Sequence, residues 1–312
     1  MSSSGASKFV IIAALIGNSL IAVTKFAAAA ITGSSAMLSE GIHSLVDTGN
    51  QILLLYGLKR AEKPPDERYP FGHGKEIYFW SFVVAIMIFA VGSGVSIYEG
   101  IRHVLHPRPI VNPGVNYVVL GLAMAFEGAA WTFALREFSR AKGKWGYIEA
   151  VHRGKNPTLY VVLFEDSAAM LGIIVAFLGV LLGHLTGNPY FDGAASIIIG
   201  LILGGTAVWL AYETKGLLIG ESAEKEIVDR IRSTAAAIPA IQRVNEVLTL
   251  HMGPDFILVN ISVDFVDNIP AGDVEKILQD LDARIKEEHP EVKRVFIEPE
   301  AWQVSARSRS EA

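Results

Sequence analysis

His43 and Asp47 stand four residues apart in an otherwise apolar stretch, Ser-Glu-Gly-Ile-His-Ser-Leu-Val-Asp from Ser39 to Asp47. On an α-helix that spacing puts an imidazole and a carboxylate on one face, a turn apart, where they can share an ion. Glu40 and Asn50 extend the same polar stripe at steps of three and four. The flanking residues read as membrane, and ionisable groups at that depth are expensive, so they tend to face a wet cavity and act there. Imidazole and carboxylate without thiolate suit Zn²⁺, or Mn²⁺, Co²⁺ or Fe²⁺. The competing reading is an interhelical hydrogen-bond network that only packs a bundle. Two donors do not complete a metal site, so others must come from elsewhere in the chain.

The segment Leu163-Phe164-Glu165-Asp166-Ser167 offers two adjacent carboxylates inside another apolar run. They point about 100° apart on a helix, which disfavours both binding one ion directly. Glu127 lies among small residues in Ala-Met-Ala-Phe-Glu-Gly-Ala-Ala, where helices can approach closely. It is open to a metal role or to pairing with a lysine or a backbone group. Lys25, also in an apolar run, either snorkels to the surface or neutralises one of these acids.

These residues must be positioned by membrane helices. The 312-residue chain is 51% hydrophobic and 19% charged, with no cysteine and a net charge of −5. Disulfides and thiolate metal sites are therefore absent, and the charge argues against nucleic acid as a partner. Six apolar stretches are long enough to cross a bilayer: Phe9–Ile31, Met37–Leu58, Ile77–His103, Val115–Phe138, Leu159–His184 and Phe191–Leu218. The loops Lys59–Glu76 and Ser139–Pro157 are long and basic, which assigns them and both termini to the cytoplasm. Up to Gly220 there are 16 Lys and Arg against 14 Asp and Glu, and beyond it 11 against 18. The acidic part alternates helical and strand patterns in the order αββαβ, which predicts a small α+β domain with helices on one sheet face. The expected organisation is a six-helix transmembrane domain over 1–220, a cytoplasmic domain over 221–304 and a flexible tail over 305–312.

The run Thr-Gly-Ser-Ser-Ala-Met-Leu-Ser-Glu-Gly-Ile-His-Ser-Leu-Val-Asp from Thr32 to Asp47 resembles the second-helix signature of the cation diffusion facilitator family. Tyr69-Pro70-Phe71-Gly72-His73-Gly74-Lys75-Glu76 resembles the loop into that family's third helix. The resemblance covers nearly the whole chain. It implies a homodimeric, proton-coupled exporter of divalent cations, most often zinc, whose cytoplasmic domain has a metallochaperone (ferredoxin-like) fold and carries much of the dimer contact. The implied transport site joins the second and fifth helices at His43, Asp47, Val162 and Asp166. Val162 departs from the pattern, since many members have His or Asp there, and the fourth place then falls to Glu165, Glu127 or water. Three protein ligands plus water still bind Zn²⁺, and an oxygen-richer shell shifts preference toward harder ions such as Mn²⁺.

The resemblance also implies a loop metal site at Asp66 and His73, with Tyr69 replacing a family histidine, and an ion pair at the membrane face between Lys75 and Glu221. In the tail domain, positions where some members bind metal with histidines hold Asn245, Ser262, Glu298 and Glu300, so dimerisation is its expected role. The reading as a whole is alternating access around a midplane site in the inner (cytoplasmic) membrane. A metal would bind deprotonated ligands there and protons would compete for the same groups, among them His43, whose side-chain type titrates near neutral pH. The transported metal is a substrate, and no cofactor is expected. The alternative is a non-transporting membrane receptor or scaffold whose dimer is fixed by metal. An enzyme is not expected, because no His-Glu-x-x-His zinc-hydrolase motif occurs.

Overall fold

Long apolar runs with few internal breakers leave the backbone one way to satisfy its polar groups in lipid, namely helix. The computed structural model describes residues 3–302, with side chains described from Asn18 onward. The tail expected over 305–312 lies outside the described residues. The chain divides into two units, one comprising Met1–Arg60 and Glu76–Lys215, the other Ala61–Lys75 and Gly216–Ala312.

The first unit is helical. It contains α1 (Ser3–Thr32), α2 (Ser35–Ala61), α3 (Glu76–Met87), α4 (Gly94–Leu105), α5 (Pro113–Ala141), α6 (Tyr147–Arg153), α7 (Pro157–Thr186) and α8 (Tyr190–Ile219, ending beyond the unit). Pro113 and Pro157 each open a helix, where a missing N–H costs no hydrogen bond. The Asn156 side chain caps α7 by accepting from the Thr158 backbone N–H. Gly187 ends α7 in the left-handed region at φ 68°.

Four passages among the described residues are long and apolar enough to cross a membrane: Glu76–Leu105, Pro113–Ala141, Pro157–Thr186 and Tyr190–Ile219. The six-span expectation is met for these four. Of α1, the described apolar part is the shorter Asn18–Thr32. α2 has the length, but Ser39, Glu40, His43, Ser44, Asp47 and Asn50 lower its hydropathy. Two further features were not expected. The passage Glu76–Leu105 is interrupted by a π-helical turn at Ile88–Ser93, and the second basic loop contains α6.

α5 lies against α1 and α7. Its opposite face carries exposed Val118, Leu122, Phe126 and Phe133 at steps of four and seven, an apolar stripe of the kind a lipid contact needs. α4 and α8 approach so closely that a Cβ on Gly100 would stand 2.7 Å from the Ile197 backbone nitrogen, and one on Gly200 3.0 Å from the Ser93 carbonyl oxygen. Small residues permit such contacts in membranes, where helix packing rests on close fit.

The second unit has the expected αββαβ order: α9 (Lys225–Ala236), β1 (Ile241–Gly253), β2 (Phe256–Phe265), α10 (Ala271–Glu288) and β3 (Val292–Pro299). The sheet order is β1-β2-β3, with β1 and β2 antiparallel and β2 and β3 parallel. Ile257, Val259, Ile261 and Val263 alternate along β2 onto the face that packs with Ile231 and Ala235 of α9 and Leu281 and Ile285 of α10. Ile261, central in this core and fully buried, is expected to cost about 2–5 kcal/mol when replaced by Ala. Thermal unfolding of the purified full-length chain measures it.

Candidate functional site

α2 carries the polar stripe, and its start is fixed from a distance. Asp192, fully buried in the first turn of α8, accepts hydrogen bonds from Ser34 Oγ (2.5 Å), the Ser35 backbone N–H (2.5 Å) and Ser35 Oγ (3.0 Å). A carboxylate there satisfies otherwise orphaned donors and suits the positive end of the helix. Sequence reasoning missed Asp192, although a lone acid opening an apolar span was its visible signal. Asp192→Ala removes charged hydrogen bonds and is expected to cost about 1.5–3 kcal/mol, read as a lowered melting temperature.

Two turns further along, His43 and Asp47 face the same way, with His43 Nδ1 3.2 Å from Asp47 Oδ1. His43 is 1% exposed, and neither of its ring nitrogens makes a hydrogen bond. Buried polar atoms are nearly always paired, so an imidazole whose Nε2 is open and whose Nδ1 only faces Asp47 without a formed hydrogen bond marks a place where a partner belongs. From α7, buried Glu165 comes within hydrogen-bonding reach of Asp47 and accepts from Asn50 Nδ2 at 2.6 Å. Asp166, half-buried on the neighbouring face, forms no hydrogen bond or ion pair among the described residues. Val162 is half-buried one turn before. Among the described residues no three His, Asp or Glu side chains are arranged to hold a metal ion. Asp47 thus meets His43 on its own helix and Glu165 on α7, with Asp166 next to Glu165.

Glu127 is engaged otherwise. Lys25, with no exposed surface, donates to Glu127 Oε1 (2.7 Å), Glu40 Oε2 (2.9 Å) and Ser44 Oγ (2.9 Å). Of the two readings of Lys25, neutralisation holds, and it serves two acids on two helices. An ammonium has three donors, and all are used.

Within the second unit, Asp66 Oδ2 lies 2.9 Å from His73 Nε2, while Asp66 Oδ1 accepts from the backbone N–H groups of Tyr69 (2.7 Å) and Arg68 (2.9 Å). The Tyr69 ring leans on the His73 ring at 4.6 Å between centroids. The His73 bond, then the Tyr69 N–H, holds the exposed Asp66 carboxyl below the usual aspartate range. A depressed carboxylate contributes stability above its unfolded value and loses it as pH falls through the folded one. Asp66 in the intact chain is therefore expected to titrate below ordinary aspartates by NMR, and Phe or Leu in place of His73 to bring it back up.

Lys75 Nζ lies beside Gly220, the residue before Glu221. The Glu221 carbonyl accepts from the His251 backbone N–H at 3.0 Å. In the sheet, Asn245 Nδ2 donates to Ser262 Oγ (3.1 Å) and to the Glu300 carbonyl (2.8 Å), and Ser262 Oγ donates to Glu300 Oε2 (2.9 Å). These polar side chains use one another's hydrogen-bonding capacity.

Comparison with known proteins matches two successive segments of the chain. Residues 11–219 match the cation efflux transmembrane domain, and residues 223–302 match the cytoplasmic domain of cation efflux proteins. The chain is 36% identical over 264 residues to the proton-coupled zinc antiporter SLC30A9, mitochondrial, of Xenopus laevis, covering 84% of this chain and 47% of that protein. It is 29% identical over 254 residues to metal tolerance protein C4 of Arabidopsis thaliana, covering 81% and 56%. It is 24% identical over 299 residues to the manganese efflux system protein MneP of Bacillus subtilis, covering 93% and 95%. The chain spans about half the length of the first of these relatives.

Proposed function

The chain belongs to the cation efflux, or cation diffusion facilitator, family, and from that premise we propose that it exports divalent metal cations from the cytoplasm in exchange for protons. The observation that carries this reading is His43, buried and without a formed hydrogen bond at either ring nitrogen, its Nδ1 facing Asp47, which in turn meets the acids of α7. His43, Asp47 and Asp166 bind the ion, and a water held by Glu165, on the neighbouring face of α7, fills the place left by Val162. A divalent cation relieves the crowding of Asp47 and Glu165, and so do protons. Either occupant can hold the site together, which is the chemical basis of an exchange. Metal must meet deprotonated ligands, so acid on the release side favours discharge.

Zn²⁺ is the first expected substrate, in keeping with the imidazole and with the zinc antiporter relative. Loss of the second nitrogen or carboxylate at Val162 leaves an oxygen-rich shell, which makes Mn²⁺ the second. α1 and α2 cross the membrane with the four apolar passages, making six spans. The basic loops and both termini lie in the cytoplasm, in the inner membrane of a bacterial cell. Residues 221–304 dimerise the protein. Lys75 and Glu221 pair at the membrane face, and Asp66 and His73 capture metal in the loop before it enters.

Purified protein in proteoliposomes, supplied with Zn²⁺, Mn²⁺, Fe²⁺ or Co²⁺ with and without a pH gradient, tests the reading. Gradient-stimulated flux, largest for Zn²⁺, is the expected result. Metal binding without flux for every ion would mean a receptor or scaffold instead.

A further inference from the structure

Lys25 sits in surroundings that resemble a cation site more than a packing contact. Its ammonium has no exposed surface and is held by three oxygens: Glu40 Oε2 and Ser44 Oγ from α2, and Glu127 Oε1 from α5. Two further oxygens there, Glu40 Oε1 and Glu127 Oε2, are buried without a hydrogen bond. An ammonium has only three protons to donate, so the surroundings offer more oxygen than it can use. α7 leaves room for the surplus, since a Cβ on Gly172 would collide with Glu40 Oε1. Two carboxyl groups stand around a single ammonium. An oxygen-only set with two carboxylates is what a hard divalent cation takes.

We propose that Lys25 is a tethered cation filling a second cation site, formed by Glu40, Ser44 and Glu127, and that it keeps a second divalent ion out of the membrane domain. Glu40 and Ser44 lie on α2 beside His43 and Asp47. An ion admitted here would sit next to the transported one and repel it. A lysine in its place holds α1, α2 and α5 together, neutralises part of the acid cluster and does not leave. Each protomer then carries one exchangeable ion in its membrane domain. The inference builds on the transport reading of His43 and Asp47, but the vacated site can be measured without any transport.

The test uses the full chain in detergent, stripped with chelator and equilibrated with Mn²⁺ alone, with bound metal per protomer counted by elemental analysis. Lys25→Ala is expected to bind one more Mn²⁺ than the unchanged protein, and Lys25→Ala combined with Glu127→Gln to return to the original count. A folded Lys25→Ala protein with an unchanged count would overturn the proposal. Should Lys25→Ala be unstable without metal, Mn²⁺ is expected to raise its melting temperature more than that of the double variant. Equal responses would also overturn it. Absence of flux in the unchanged protein would sink the transport reading, while an extra ion in Lys25→Ala would still support the tethered cation.

Discussion

Asp47→Ala is expected to lower gradient-driven Zn²⁺ flux by about 100-fold or more, since even the outer partners of metal ligands cost about 10–100-fold when removed. The carboxylate stands 3.2 Å from His43 Nδ1 and reaches Glu165 on α7, so its removal takes away a ligand and the link between the two helices. His43→Ala is expected to lose a similar factor for Zn²⁺ and a smaller one for Mn²⁺, because imidazole matters less to a harder ion. The two variants together should be little worse than either alone, as groups serving one centre are non-additive. Flux in proteoliposomes at a fixed pH gradient measures all three. Unchanged Zn²⁺ flux in Asp47→Ala would remove this site from the mechanism.

The residues of this site were legible because their cost is legible. His43, Asp47, Glu165 and Asp166 interrupt runs that are otherwise apolar, and helical spacing shows which of them share a face. The second unit was readable for a similar reason, since the alternation of Ile257, Val259, Ile261 and Val263 announces a one-sided strand. Two kinds of feature were not readable. Asp192 acts on Ser34 and Ser35 across some 157 positions, and no local pattern encodes that pairing. The π-helical turn at Ile88–Ser93 runs into Gly92-Ser93-Gly94, small residues that weaken a helix without specifying which irregularity follows. Lys25 fell between these cases: its place in an apolar run was visible in the sequence, but its burial and its partners 15 and 102 positions away were not.

Those partners set the second large effect. In metal-free, chelator-treated protein, Lys25→Met is expected to cost about 3–5 kcal/mol, the range for stripping one partner from a buried ion pair. The methionine fills the space of the lysine stem, so lost packing contributes little, and the penalty comes from Glu40 and Glu127 being left uncompensated. Converting both acids to Gln in the same protein should therefore recover much of the loss, although it adds two more substitutions. Neutral groups carry a far smaller desolvation cost than ions and can hydrogen-bond one another. The order of melting temperatures is thus expected to be unchanged protein, then triple variant, then Lys25→Met. If the triple variant melted below Lys25→Met, charge compensation would not be what Lys25 provides, and the shape of its side chain would have to explain its place in the bundle.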